Sequence, residues 1–250
     1  MHLGAAPRDI EQPLLSFLRF ASTSAESIVI NGDLFDFWFE WKSVIPRVGF
    51  RVLAALADAR DAGVEIIWVA GNHDCWGGDV IERDVGITYV MGPWRGTIGK
   101  WRAEIDHGDG LRDVEDRRYR ALRSVLRHPL SIRAFRWIHP DWSSRLALGS
   151  STASRVHRAR DGGAGLQSVA VARLVSDPTL DLLVLGHSHV HALVRAANGG
   201  VYANPGSWLD APTYLRIDDD RIELMQWTGS AEGDRLDSLN RRTEESLAQS

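Results

Sequence analysis

Four short clusters of carboxylate, amide and imidazole side chains occur along the 250-residue chain. They are Gly32-Asp33-Leu34-Phe35-Asp36, Gly71-Asn72-His73-Asp74, His107-Gly108-Asp109 and Gly186-His187-Ser188-His189. As a set they suit metal ions. One carboxylate can bridge two ions, while imidazoles and an amide oxygen complete separate shells; such mixed donors favour Mn, Fe or Zn over Ca. Two ions about 3.5–4 Å apart lower the pKa of a bridging water and neutralise phosphoryl oxygens during in-line attack. That chemistry needs no protein nucleophile, and none is evident. Singly, each cluster is ordinary: Gly-Asp is a common turn, Asn-His-Asp suits an Asx turn, and His107 alone reads as a satisfied core histidine. Four in this order, each behind a strand-like run, are not ordinary.

The elements that must position them follow from periodicity. Ser27 to Ile30, Val64 to Ala70, Trp101 to Ile105 and Leu180 to Leu185 are short apolar runs, each ending at one of the clusters. Helical spacing marks Pro7 to Phe20, Val44 to Arg60 (closed by Gly63) and Leu166 to Val175. Strands alternating with helices predict an α/β fold, in which the carboxyl ends of strands form the ligand crevice and separate clusters can converge. After His191 the pattern changes to short strands, Ala192 to Arg195, Gly200 to Ala203, Thr213 to Ile217 and Arg221 to Trp227, separated by turn residues such as Asn204-Pro205-Gly206. These predict antiparallel hairpins. The expected organisation is one domain over residues 1–228, with a helical cap insertion at about 112–160 and a flexible polar tail at 229–250.

Composition narrows the class. A net charge of −4 argues against a general nucleic-acid binder, yet Arg112 to Arg160 holds twelve arginines against four acidic residues. A local positive surface suits a phosphate-bearing ligand or an anionic membrane face. The same insertion carries Tyr119, Leu122, Val125, Leu126, Phe135, Trp137, Ile138 and Trp142. It reads either as an amphipathic subdomain packed on the core or as a cap that also receives an apolar part of the substrate. The single cysteine, Cys75, excludes an internal disulfide and agrees with a reducing compartment. With no charged-then-apolar leader, cytoplasm is the expected location.

The order GD, GNHD, HGD, GHSH resembles the signature of the calcineurin-like metallophosphoesterases, and its motifs span most of the chain. The resemblance implies a four-layer α-β-β-α sandwich and two divalent metal ions, Mn²⁺ foremost. It implies that Asp33 bridges the ions, that Asn72, His107 and His187 bind one, and that His189 binds the other with an N-terminal Asp-x-His pair. His73 would act as general acid near the leaving group, oriented by Asp74, a role that suits imidazole.

More detailed wording, from Gly32 to Glu40 and from His128 to Trp142, resembles the branch of UDP-2,3-diacylglucosamine hydrolases of lipid A synthesis. Those enzymes cleave a pyrophosphate to release UMP and a diacylglucosamine 1-phosphate. The resemblance implies a nucleotide-lipid substrate and peripheral contact with the cytoplasmic face of the inner membrane. The best-known members have Arg where this chain has His73, which points to a sister branch. Two other readings stand beside it: a phosphodiesterase or phosphomonoesterase on a soluble substrate, and a metal-poor scaffold.

The scaffold reading arises from the first motif. His2-Leu3-Gly4 looks like the end of Asp-x-His-Leu-Gly, so the Asp and an opening strand would fall before residue 1. His2 is then expected to be a ligand, but a poorly anchored one. Among lesser candidates, Cys75 is expected to be merely packed nearby, His191 to be a strand residue, and Asp36 and Asp109 to support the ligands. Trp38, Trp41, Trp76 and Trp94 read either as cleft lining or as core.

Overall fold

The computed structural model describes residues 1–5, 7–113, 115–142 and 161–242. The chain divides into two compact units, Met1–Gly92 with Asp109–Arg158, and Pro93–Gly108 with Ala159–Ser250. The division runs through the stretch expected to be one domain.

The first unit opens with α1 (Glu11–Ser24), whose Leu14, Leu15, Leu18 and Ala21 form one buried stripe. Then come β1 (Ser27–Asn31), α2 (Phe50–Asp61) and β2 (Glu65–Val69). The expected helix from Val44 starts later, at Phe50. Pro46 disfavours helical geometry in the residue before it, and Gly49 sits at φ 71°, so the chain enters the helix only beyond them. Val52, Leu53, Leu56 and Ala59 form the buried stripe of α2, which packs on α1. β1 and β2 pair in parallel, and β3 (Thr88–Val90) adds a third parallel strand that the sequence pattern does not reveal. Trp38 and Trp68 are fully enclosed here.

In the second unit, β4 (Trp94–Ile98) and β5 (Trp101–Asp106) make a hairpin through Gly99-Lys100. The described cap belongs to the first unit and contains α3 (Arg117–Leu126) and α4 (Pro129–Phe135). The rest of the expected insertion, 143–160, lies outside the described residues. The second unit resumes with α5 (Ala164–Ser176), β6 (Leu182–Leu185), β7 (Ala192–Arg195) and β8 (Val201–Asn204). Its main sheet has the order β4-β5-β6-β8-β7. The β7–β8 pair is antiparallel as expected, but β8 also lies parallel to β6 and carries the sheet onward. α5 covers β6 and β8 with Leu166, Ala170 and Leu174.

A separate antiparallel sheet is formed by β9 (Thr213–Ile217), β10 (Arg221–Gln226) and β11 (Asp234–Asn240). This corrects the expectation of a flexible tail from residue 229. Strand β11 is polar enough to read as tail, but it pairs with β10 from Arg221↔Asn240 to Gln226↔Asp234. Its Arg235 also reaches the buried Glu223 at 3.0 Å. Residues 243–250 of the expected tail lie outside the described residues. Helices and sheets in both units give the expected α/β class. Among the described residues, no helix is long and apolar enough to cross a membrane.

Candidate metal centre

In the first unit, β1 and β2 run side by side with Asn31 opposite Val69, so the turns that follow leave the same sheet edge. Those turns interlock through their polar groups. The His73 N–H donates to Asp33 Oδ1 at 3.0 Å, and the Asp74 carboxylate accepts from Leu34 N–H at 2.7 Å and Gly71 N–H at 2.8 Å. Residue 71 must be glycine, because a Cβ there would lie 2.1 Å from Asp33 Oδ1 and 2.5 Å from its nitrogen. Asn72 stands in the same turn, half-buried.

His2 joins this cluster. Its N–H donates to the Asp33 carbonyl at 2.9 Å, and Leu3 pairs in parallel with Phe35. The ring stands with Nε2 3.6 Å from Asp33 Oδ2 and Nδ1 3.4 Å from Asp36 Oδ1. It is 1% exposed, so the expectation of a poorly anchored residue gives way to a buried one. His2, Asp33 and His73 each offer one ligand atom, all within 4.8 Å of one another. Burial lowers the His2 imidazole below its usual range, against the pull of Asp36 and Asp33. Neutral imidazole is the form that binds metal.

The donor set fits a divalent ion: buried carboxylate beside imidazole, with a glycine cradle that keeps the carboxylate in place. Backbone strain points the same way. Among the described residues, the non-glycine residues with positive φ are His2 (56°), Asp33 (52°), His187 (58°), His189 (62°) and Ala231 (49°). Four of these five are candidate ligands. Such conformations cost on the order of 1–3 kcal/mol each and cluster where function requires a particular side-chain aim.

In the second unit, β5 leads to His107 and β6 to His187 and His189. His107 is buried, its carbonyl accepts from Gly186 N–H at 2.9 Å, and its ring meets His187 edge-on with centroids 5.3 Å apart. His189 follows two residues on, half-buried. Each unit therefore brings together its own share of the candidate ligands.

His73 Nδ1 lies 2.9 Å from the Asp36 main-chain carbonyl, and the Asp74 carboxylate ties the two turns together. A carbonyl oxygen only accepts, so Nδ1 carries the proton of that hydrogen bond. Sequence reasoning could not see this, because a main-chain carbonyl has no residue signature.

Cys75 is buried, and desolvation pushes its thiol up to about 12. Trp38 is core, stacked on Phe35. Trp76 joins Phe37, Phe39 and Trp41 in an aromatic cluster, and Trp94 lies in β4. His191 is exposed and immediately precedes β7. Glu40 accepts N–H groups of Gly78 at 2.9 Å and Val80 at 3.0 Å, pinning the π-helical turn Val80–Asp84.

Asp109 organises the base of the cap. Its Oδ2 accepts from Tyr119 O–H at 2.7 Å and lies 3.4 Å from Arg123 Nε and 3.5 Å from Arg127 Nη2. Arg127 also reaches the Gly71 carbonyl at 3.4 Å, and Trp76 Nε1 donates to the Leu126 carbonyl at 3.0 Å. The cap is thus bonded to the Asn72-His73 turn. Ile132 and Phe135 pack on the aromatic cluster. Large apolar side chains stand outward among exposed arginines such as Arg133 and Arg136: Trp137 is 91% exposed, Trp142 70% and Leu130 64%. A hollow of ≈ 260 Å³ lies in this unit, lined by Leu3, Phe37, Trp41, Ile45, Val48 and Pro140 among others.

The profile of the calcineurin-like phosphoesterase family matches residues 12–191. The chain belongs to that family, which makes it a hydrolase acting on phosphoester or pyrophosphate bonds and implies divalent metal ions. Within it, the chain is similar to several curated relatives named UDP-2,3-diacylglucosamine hydrolase. That of Porphyromonas gingivalis is 34% identical over 62% of this chain and 60% of its own length. That of Xanthomonas oryzae pv. oryzae is 26% identical over 91% of this chain and 96% of its own. That of Neisseria meningitidis serogroup A is 27% identical over 88% and 92%. Among solved structures, the chain is similar to Vps29 of Chaetomium thermophilum at 12% identity over 97% of this chain and 94% of that one, with a TM-score of 0.44.

Proposed function

We propose that the chain hydrolyses the pyrophosphate of UDP-2,3-diacylglucosamine to UMP and 2,3-diacylglucosamine 1-phosphate, with two divalent ions, Mn²⁺ in the first instance. The proposed ligands are His2, Asp33, Asn72, His107, His187 and His189. When bound, such ions lower the pKa of water and neutralise phosphoryl charge. His73, held at Nδ1 by the Asp36 carbonyl, delivers a proton from Nε2 to the departing phosphate oxygen. Asp74 supports that role indirectly, by fixing the turn that carries His73.

The observation that carries the substrate reading is the cap. Its exposed Leu130, Trp137 and Trp142 lie in a segment rich in arginine, which suits acyl chains and phosphates together. The same face suits a shallow seat on the anionic cytoplasmic surface of a membrane. The curated relatives' names supply independent support for a nucleotide-lipid substrate.

The test is UMP release from UDP-2,3-diacylglucosamine with added Mn²⁺, with Asp33→Ala as control. Release by the wild type and its loss in the control are the expected results. Hydrolysis of a small phosphodiester without UMP release from the nucleotide lipid would overturn the substrate and favour a soluble one.

A further inference from the structure

We propose that Asn204 is a positioning residue that clamps the Gly186–His189 loop in its metal-binding shape; this rests on the reading of His187 and His189 as ligands. The loop needs a clamp. His187 and His189 both hold left-handed backbone, at φ 58° and 62°, with Ser188 N–H donating to the Gly186 carbonyl at 2.6 Å between them. Two such residues in three persist only where the surroundings over-determine them.

Asn204 supplies that constraint from the end of β8. Val184 lies opposite Ala203, so Asn204 stands beside the start of the loop. It is fully buried at 0% exposure. Its Nδ2 donates to the Gly186 carbonyl at 3.0 Å and lies 3.1 Å from Ser188 Oγ and 3.4 Å from the Tyr202 hydroxyl. Its Oδ1 accepts from Gly206 N–H at 2.9 Å. These partners settle the amide's orientation. A flipped amide would set its oxygen against the Gly186 carbonyl and its NH₂ against the Gly206 N–H, repulsive on both sides.

Only a side chain with a donor on one edge and an acceptor on the other satisfies both faces at this length. Ser188 Oγ extends the clamp by accepting from Val190 N–H at 3.4 Å, just beyond His189. In the sequence, Asn204-Pro205-Gly206 marks only a turn. The folded chain uses the asparagine to join that turn to the ligand loop.

Asn204→Asp keeps the shape and the acceptor but replaces the donor with a carboxylate oxygen facing the Gly186 carbonyl. Calorimetric titration with Mn²⁺, on protein verified as folded by its melting curve, should show about 10–100-fold weaker binding, as for other residues that orient metal ligands. Saturating Mn²⁺ should then restore UMP release, a recovery that general loss of packing would not produce. Ser188→Ala removes one neutral hydrogen bond and should weaken Mn²⁺ binding by about two- to tenfold. It decides the matter alone if Asn204→Asp does not fold. Unchanged Mn²⁺ affinity in folded Asn204→Asp, or in Ser188→Ala where only that variant folds, overturns the clamp. Wild-type protein that binds no Mn²⁺ overturns the metal reading beneath it, a distinct result.

Discussion

Around Asp33 the first unit buries what proteins normally leave in water; on its cap it leaves in water what proteins normally bury. His2, Asp33, Asp36, His73 and Asp74 are all enclosed, within interlocking turns. On the cap, Trp137, Trp142 and Leu130 face outward, while Ile132 and Phe135 do the packing. Buried polar groups and exposed apolar groups are the two departures from ordinary burial that carry information. Here they occur in one unit and are physically joined, through Asp109, Arg127 and Trp76. On the proposed function this difference is a division of labour: the enclosed cluster meets the phosphates and the exposed apolar side chains of the cap meet the acyl chains.

The largest effect should come from emptying the enclosed cluster. Asp33→Ala should lower UMP release by at least about a thousandfold, because several kcal/mol of charge stabilisation depend on the ions. Retained activity within tenfold of wild type would remove the cluster from the chemistry. A subtler break is Gly71→Ala, whose new Cβ would fall 2.1 Å from Asp33 Oδ1. Displacing that carboxylate should cost about a hundredfold in rate, the scale set by ångström-level misplacement. Equal rates would mean that the carboxylate tolerates movement.

The join between the regions can be weakened by Tyr119→Phe, which deletes the hydrogen bond to the buried Asp109 carboxylate. Loss of a bond to a charged group should lower stability by about 1.5–3 kcal/mol in chemical denaturation. An unchanged midpoint would show the cap base to be held by the arginines alone.

The smallest effect belongs to Cys75, beside the cluster but outside its chemistry. Burial favours its neutral thiol and pushes it from 9.0 to about 12. The folded state therefore holds the proton more tightly than the unfolded one. That contribution to stability is complete below about pH 9 and is lost as pH rises towards about 12. Native protein at pH 8 should not react with a thiol reagent until it unfolds, and prompt labelling would contradict the burial.

Much of this arrangement is legible in the chain. Ser27 to Ile30 and Val64 to Ala70 announce β1 and β2 by apolar, β-branched runs that stop at Asn31-Gly32 and at Gly71, and the ligand types follow at once. The cap's arginines and aromatics are equally plain. What escapes is whatever depends on pairing rather than pattern. β4, with Arg95 and Gly96, and β11, with two aspartates and an arginine, lack apolar alternation and exist because a neighbouring strand accepts them. The Asp36 carbonyl on His73 and the Asn204 clamp escape for a related reason: each joins residues far apart in the chain through main-chain atoms, which are the same at every position.

The division of labour is tested most directly by measuring two substrates in one variant. Trp137→Ser with Trp142→Ser removes exposed cap aromatics and leaves the enclosed cluster untouched. The kcat/KM for UDP-2,3-diacylglucosamine should fall about tenfold or more, the scale of one large apolar contact, while that for a small phosphodiester stays at the wild-type value. Equal changes for both substrates, or none for the lipid, would contradict the account.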